Sequence, residues 1–179
     1  MRRFLLGTIL AASIAAAVPT ASQAADTTTT FTLSAAGGLS ISVPASKNLG
    51  SAATNAGTLS AQLGTVTVTD DRGLLAGTWT ASVSSTDFTT GLASANETIA
   101  KANISYWSGA ATATTGTLTA TPGQLLAINA VTLTASRTAF SAAAIVGNNS
   151  LSFNPTVTVN IPASSVTGTY SGTITHSVA

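Results

Sequence analysis

The 179-residue chain contains no cysteine, one histidine, one methionine, five prolines and nine aromatic residues, and only 6% of its residues are charged. An ordinary soluble domain is about a quarter charged, so this surface is solvated by hydroxyls and amides instead of ions. Without cysteine there is no disulfide framework, thiolate metal site, cysteine nucleophile or lipidated N-terminal cysteine. One histidine and five carboxylates give little from which to assemble converging acid, base and nucleophile groups. No Gly-X-Ser-X-Gly elbow accompanies the abundant serines. The residues therefore predict a noncatalytic protein with no cofactor and no metal.

Arg2 and Arg3 are followed by an apolar run from Phe4 to Val18, a break at Pro19 and the small residues Ala21-Ser22-Gln23-Ala24-Ala25. This is the layout of a secretory signal peptide, with cleavage expected after Ala24. An anchor helix would need about 20 apolar residues, and Pro19 interrupts the run first. The domain plan is thus a signal helix over residues 1–24 and one domain over 25–179, a size suited to a single core. The mature chain keeps Lys47, Arg72, Lys101 and Arg137 against five acidic residues, a net charge of −1. Its basic residues are scattered singly, so neither nucleic acid nor an anionic membrane finds a basic patch. Later apolar stretches are all interrupted by Thr, Ser or Gly, and no further membrane segment is expected.

Period-two alternation dominates the mature chain. Leu39, Ile41 and Val43 alternate with Ser40 and Ser42; Val66 and Val68 alternate with Thr65, Thr67 and Thr69. Trp79, Ala81 and Val83 alternate with Thr78, Thr80 and Ser82, and Val157, Val159 and Ile161 with Thr156, Thr158 and Asn160. The segments 99–107, 114–121, 131–140 and 169–178 read as further strands, the last with Tyr170, Ile174 and Val178 inward. Turn chemistry falls at Gly37-Gly38, Asn55-Ala56-Gly57, Asp70-Asp71-Arg72-Gly73, Pro122-Gly123, Gly147-Asn148-Asn149 and Val166-Thr167-Gly168. About nine strands and no amphipathic helix predict an all-β chain, an antiparallel β-sandwich of immunoglobulin-like or related type. Residues 48–60 read as the long loop, and Ala142 to Val146 as a helical turn, since alanine favours helix.

Four segments carry a resemblance: Val68-Thr69-Asp70-Asp71-Arg72-Gly73, Gly77-Thr78-Trp79-Thr80-Ala81-Ser82-Val83, Asp87-Phe88, and Gly168-Thr169-Tyr170-Ser171-Gly172-Thr173-Ile174-Thr175. In content and order they resemble the WxL domain of Gram-positive surface proteins, in an alanine- and threonine-rich, actinobacterial dress. The resemblance spans roughly Phe31 to Ala179, making Asp70, Asp71, Arg72, Gly73, Trp79 and Tyr170 the family-motif residues. The two Trp-X-Leu signatures stand here as Trp79-Thr80-Ala81 and His176-Ser177-Val178. What the resemblance implies is a WxL-type sandwich that is secreted and associates noncovalently with cell-wall peptidoglycan, an associated glycan, or other surface proteins.

Among candidate ligand residues the aromatics lead, because carbohydrate sites present flat rings beside polar side chains. Trp79 shares parity with Ala81 and Val83 and is a core residue first. Tyr106 and Trp107 are neighbours, so if Ile104 and Tyr106 face the core, Trp107 faces outward. Trp107 is accordingly the first candidate contact, with Tyr106 and Trp79 behind it; the competing reading has Trp107 seal a sheet edge. For Asp70-Asp71-Arg72-Gly73 the two readings are a calcium loop, which would need six to eight oxygens, and a turn in which an aspartate caps backbone amides while Arg72 pairs with a nearby acid. His176 reads as a partly buried imidazole beside Ile174 and Val178. The threonine-rich stretch 112–121 reads as β-propensity on an outward face, not as an ice-templating array.

Overall fold

The computed structural model describes residues 28–179, and the expected signal peptide and cleavage after Ala24 lie outside them. The described residues fall in two units, 28–32 and Leu33–Ala179. Of the first, the described residues 28–32 form neither helix nor strand. The second is an all-β antiparallel sandwich.

Eleven strands build it: β1 (Leu39–Ser42), β2 (Thr58–Gln62), β3 (Val66–Ser85), β4 (Phe88–Thr89), β5 (Thr98–Ile99), β6 (Ile104–Trp107), β7 (Ala111–Pro122), β8 (Val131–Thr132), β9 (Arg137–Phe153), β10 (Thr156–Asn160) and β11 (Ile174–Val178). One sheet runs β1-β3-β9-β7, with β11 also on β3; a second runs β2-β10-β6-β8; β4 and β5 form a small hairpin. All pairings are antiparallel. The inward side chains of the two larger sheets meet in one core that includes Val66, Val68, Trp79, Ile104, Tyr106, Phe140, Leu151, Phe153 and Val157. Phe140 and Phe153 pack with ring centroids 4.8 Å apart, inside the range of favourable tilted aromatic pairs.

The 20-residue β3 and 17-residue β9 form the spine. Along β3 the buried positions are even-numbered at Val66, Val68 and Asp70, then odd-numbered at Gly77, Trp79, Ala81 and Val83. A period-two chain changes parity only by inserting a residue. The register indeed shifts between Asp70 and Leu74, between Leu75 and Gly77, and again before Trp79. On β9 the buried positions likewise move from Phe140 and Ala142 to Ile145, Asn149, Leu151 and Phe153. Gly73 (φ 65°), Ala76 (φ 60°), Ala144 (φ 52°) and Gly147 (φ 70°) take up these irregularities in left-handed conformations.

Several sequence expectations are corrected here. Asp70-Asp71-Arg72-Gly73 and Gly147-Asn148-Asn149 do not end strands: Asp70 pairs with Asn149 and Leu74 with Gly147, so the bulges let the ladder run on. Ala142 to Val146 is strand, because pairing with β3 on one side and β7 on the other outweighs the helical preference of alanine. Segment 99–107 is broken by a short 3-10 turn at Lys101–Asn103, and 131–140 is split into β8 and the start of β9. The long loop runs over residues 43–57, ending where Thr58 begins to pair with Asn160. Of 169–178 only Ile174–Val178 is strand, although Ser171 bridges Thr89.

Candidate functional site

Residues paired across neighbouring strands share a face of the sheet, so registers turn isolated residues into surfaces. In the second sheet Thr158 pairs with Ser60 on β2 and Ser105 on β6, and Ser105 pairs with Thr132 on β8. This sets four hydroxyl side chains in a row across four strands, a span of about 14 Å at the usual strand spacing. Each is half-buried or exposed. Ser60 Oγ and Thr158 Oγ1 are hydrogen-bonded at 2.9 Å. The adjacent row on this face is Gln62, Thr156 and Trp107, and on the other side Thr58 pairs with Asn160. The outer face is therefore uncharged, rich in hydroxyls and amides, with one tryptophan at the end of a row.

Trp107 is half-buried, while its neighbours Tyr106 and Ser108 are buried. Gly109 (φ 72°) lies against its ring, where a Cβ would stand 3.4 Å from Trp107 Cζ3. A glycine at that point keeps the covering of the indole thin. The indole is thus fixed along part of its surface and open along the rest.

The other candidate aromatics lie elsewhere. Tyr106 is wholly buried on the inner face, and its Oη lies 3.1 Å from His176 Nε2 on β11, bridging the two sheets. Burial holds the His176 imidazole at about 4, well below the usual value, and pushes the Tyr106 hydroxyl up. Both are neutral near pH 7, as a hydrogen bond between the sheets requires. Trp79 is 2% exposed, and its Nε1 has no hydrogen-bond partner among the described residues. Neither Tyr106 nor Trp79 presents a ring to a ligand.

The Asp70–Arg72 pair is a clamp on the β3 bulge. Arg72 N and Nε donate to Asp70 Oδ1 at 3.1 and 2.8 Å, and Arg72 Nη2 donates to Asp70 Oδ2 at 2.9 Å and to the Thr78 carbonyl at 2.8 Å. These bonds tie residue 70 to residue 78 across the irregular stretch. The Arg72 guanidinium holds the Asp70 carboxyl below the usual carboxylate range against the opposing effect of burial. Asp71 exchanges backbone bonds with Gly37 and Gly38, and its side chain lies against Gly37, away from the clamp. Both Asp70 oxygens are engaged by arginine, and the described residues hold no group of three or more His, Asp or Glu arranged for a metal ion. Gly73 is exposed at the bulge. Tyr170, half-buried, hydrogen-bonds through its hydroxyl to the carbonyls of Asn96 and Val166, fastening the β10–β11 connection to the β4–β5 hairpin.

A separate cleft of about 1100 Å3 opens between β2 and the β10–β11 connection, with residues 43–54 in its lining. Its lining includes His176, but the imidazole already engages Tyr106 and has no carboxylate beside it. No helix of the described residues is long and apolar enough to cross a membrane.

Trp107 was within reach of strand parity alone. The hydroxyl row at Ser60, Ser105, Thr132 and Thr158 was not, because it exists only through the pairing of four strands distant in sequence. Comparisons of the chain with family models, with curated proteins and with solved structures return no match.

Proposed function

We propose that this protein is a secreted, noncatalytic surface domain of WxL type that holds noncovalently to the cell wall, binding peptidoglycan or an associated glycan on the outer face of its four-stranded sheet. The observation that carries this reading is Trp107, half-open at the end of an uncharged face bearing a row of four hydroxyls. An indole offers a sugar ring an apolar platform, and hydroxyl side chains exchange hydrogen bonds with sugar hydroxyls without having to desolvate a charge. The export signal and the resemblance of residues 68–73, 77–83 and 168–175 to WxL domains support the location. The test is co-sedimentation of the chain from Ala25 onward with protein-stripped Gram-positive wall. Saturable recovery in the pellet is the expected result, and recovery of all protein in the supernatant overturns the reading.

A second reading, an assembly subunit joined to other surface proteins by strand addition, is favoured by a different observation. β7 and β2 each pair on one side only, and neither contains a charged residue. Strand edges without lysine, and with proline only at Pro122, the last residue of β7, are open to augmentation. Light scattering across concentration tests it, and a strictly monomeric species throughout would exclude self-assembly.

A further inference from the structure

We infer that the cleft beside β2 is an acceptor for the segment Thr28–Leu33 of a second copy of this chain, which adds to β2 as a fifth strand; the inference rests on the assembly reading and takes β2 as its acceptor edge. The donor is Thr28-Thr29-Thr30-Phe31-Thr32-Leu33. Over Thr30-Phe31-Thr32-Leu33 a β-branched threonine alternates with a large apolar residue, the pattern of a half-buried strand, yet the segment lies outside every strand of the fold. Phe31 and Leu33 are each 90% exposed. Residues two apart in a strand project to the same side, about 7 Å from one another, so both apolar side chains would enter one groove, with Thr29 on the same side, while Thr30 and Thr32 stay outside.

The acceptor has the matching construction. β2 is the edge of its sheet, and its Leu59 and Ala61 face inward while Thr58, Ser60 and Gln62 face out. An added strand with Phe31 and Leu33 inward continues that alternation. The cleft floor is apolar, with Leu59, Leu63, Phe88, Val159 and Ile161 lining it, and Lys47 is the single charged side chain in its wall, so an uncharged segment enters without stranding a charge. Residues 43–54, also in the lining, are mostly exposed and lie outside any strand. Because donor and acceptor are different surfaces of one molecule, the contact is heterologous and propagates from copy to copy unless a ring closes.

The experiment uses the chain from Ala25 onward. Light scattering should show the parent's weight-average mass at least doubling as concentration rises, while Phe31→Ser/Leu33→Ser stays monomeric with an unchanged melt, both side chains being exposed in the single copy. Because the chain has no cysteine, a mixture of Phe31→Cys and Leu59→Cys variants should give a mixed disulfide dimer under mild oxidation. If the serine variant associates as the parent does, assembly survives through another edge and this inference fails. A parent that is monomeric throughout overturns both. A chain carrying both cysteines that closes its disulfide internally at high dilution, with no dimer, assigns the cleft to its own segment and overturns the second-copy inference.

Discussion

The two faces of the four-stranded sheet are built from the same strands and differ in nearly everything else. The inner face carries Ile104, Tyr106, Val157 and Val159, all buried, and its one polar contact is the Tyr106–His176 bond that joins it to the opposite sheet. The outer face carries Ser60, Thr58, Ser105, Thr132, Thr156, Thr158 and Trp107, open to solvent to varying degrees and uncharged. Tyr106 and Trp107 are adjacent in the chain yet belong to different tasks, because strand geometry sends successive side chains to opposite sides. In this molecule parity separates the side chains that hold the fold from those left at the surface, where the proposed ligand would bind.

That separation is sharpest where the expected effect is largest. Tyr106→Ala removes a buried aromatic and is expected to destabilise by about 3–5 kcal/mol, read as a large fall in urea midpoint. Tyr106→Phe leaves the His176 nitrogen without its partner and should lose about 1–3 kcal/mol. Wall binding should be retained by whatever fraction of either variant is folded.

Acid probes the same inner face. His176 titrates at about 4 in the folded chain against 6.5 unfolded, so between those values the unfolded state binds more protons. Stability therefore falls as pH drops from 6.5 toward 4, by up to about 3 kcal/mol in total. The Asp70 contribution has the opposite origin: its pKa is lowered in the fold, so the stability it adds is present above the ordinary carboxylate value and is lost below it. Thermal melts against pH should show a decline from 6.5 to 4 that flattens in His176→Gln, whereas the steeper loss at lower pH remains.

A smaller effect is expected at the bulge. Asp70→Asn replaces a carboxylate engaged by three donors from Arg72 with a neutral amide, and a loss of about 1–3 kcal/mol should result. Guanidinium unfolding checks it. On the outer face Thr158→Val keeps shape and β-branching while removing one hydroxyl from the row, and its effect on stability should stay within about 0.5 kcal/mol. Its wall affinity should nevertheless fall if the row is used.

Much of the sandwich was legible in the chain because apolar alternation at 39–43, 66–68, 79–83 and 157–161 marks strands directly. The switch from even parity at Val66 and Val68 to odd parity at Trp79 and Val83 was also visible. Its meaning was not: glycine and aspartate at 70–73 signal a turn, and only the pairing of Leu74 with Gly147 shows that the strand continues through a bulge. The same limit applies at Ala142 to Val146, where local propensity favours helix and two flanking strands decide otherwise. The arginine clamp is local in sequence, since Arg72 lies two residues from Asp70 and six from Thr78. The hydroxyl row depends on residues about a hundred positions apart, as Ser60 and Thr158 are, the cleft on residues as distant as Val43 and His176, and no local pattern encodes such a register.

The central claim, that function resides on the outer face and stability on the inner, is tested most directly by measuring wall co-sedimentation of Trp107→Ala beside its thermal melt. The account predicts a melt close to that of the parent, with at least a tenfold loss of wall affinity, about 1.4 kcal/mol. A folded Trp107→Ala that binds wall as tightly as the parent would contradict it.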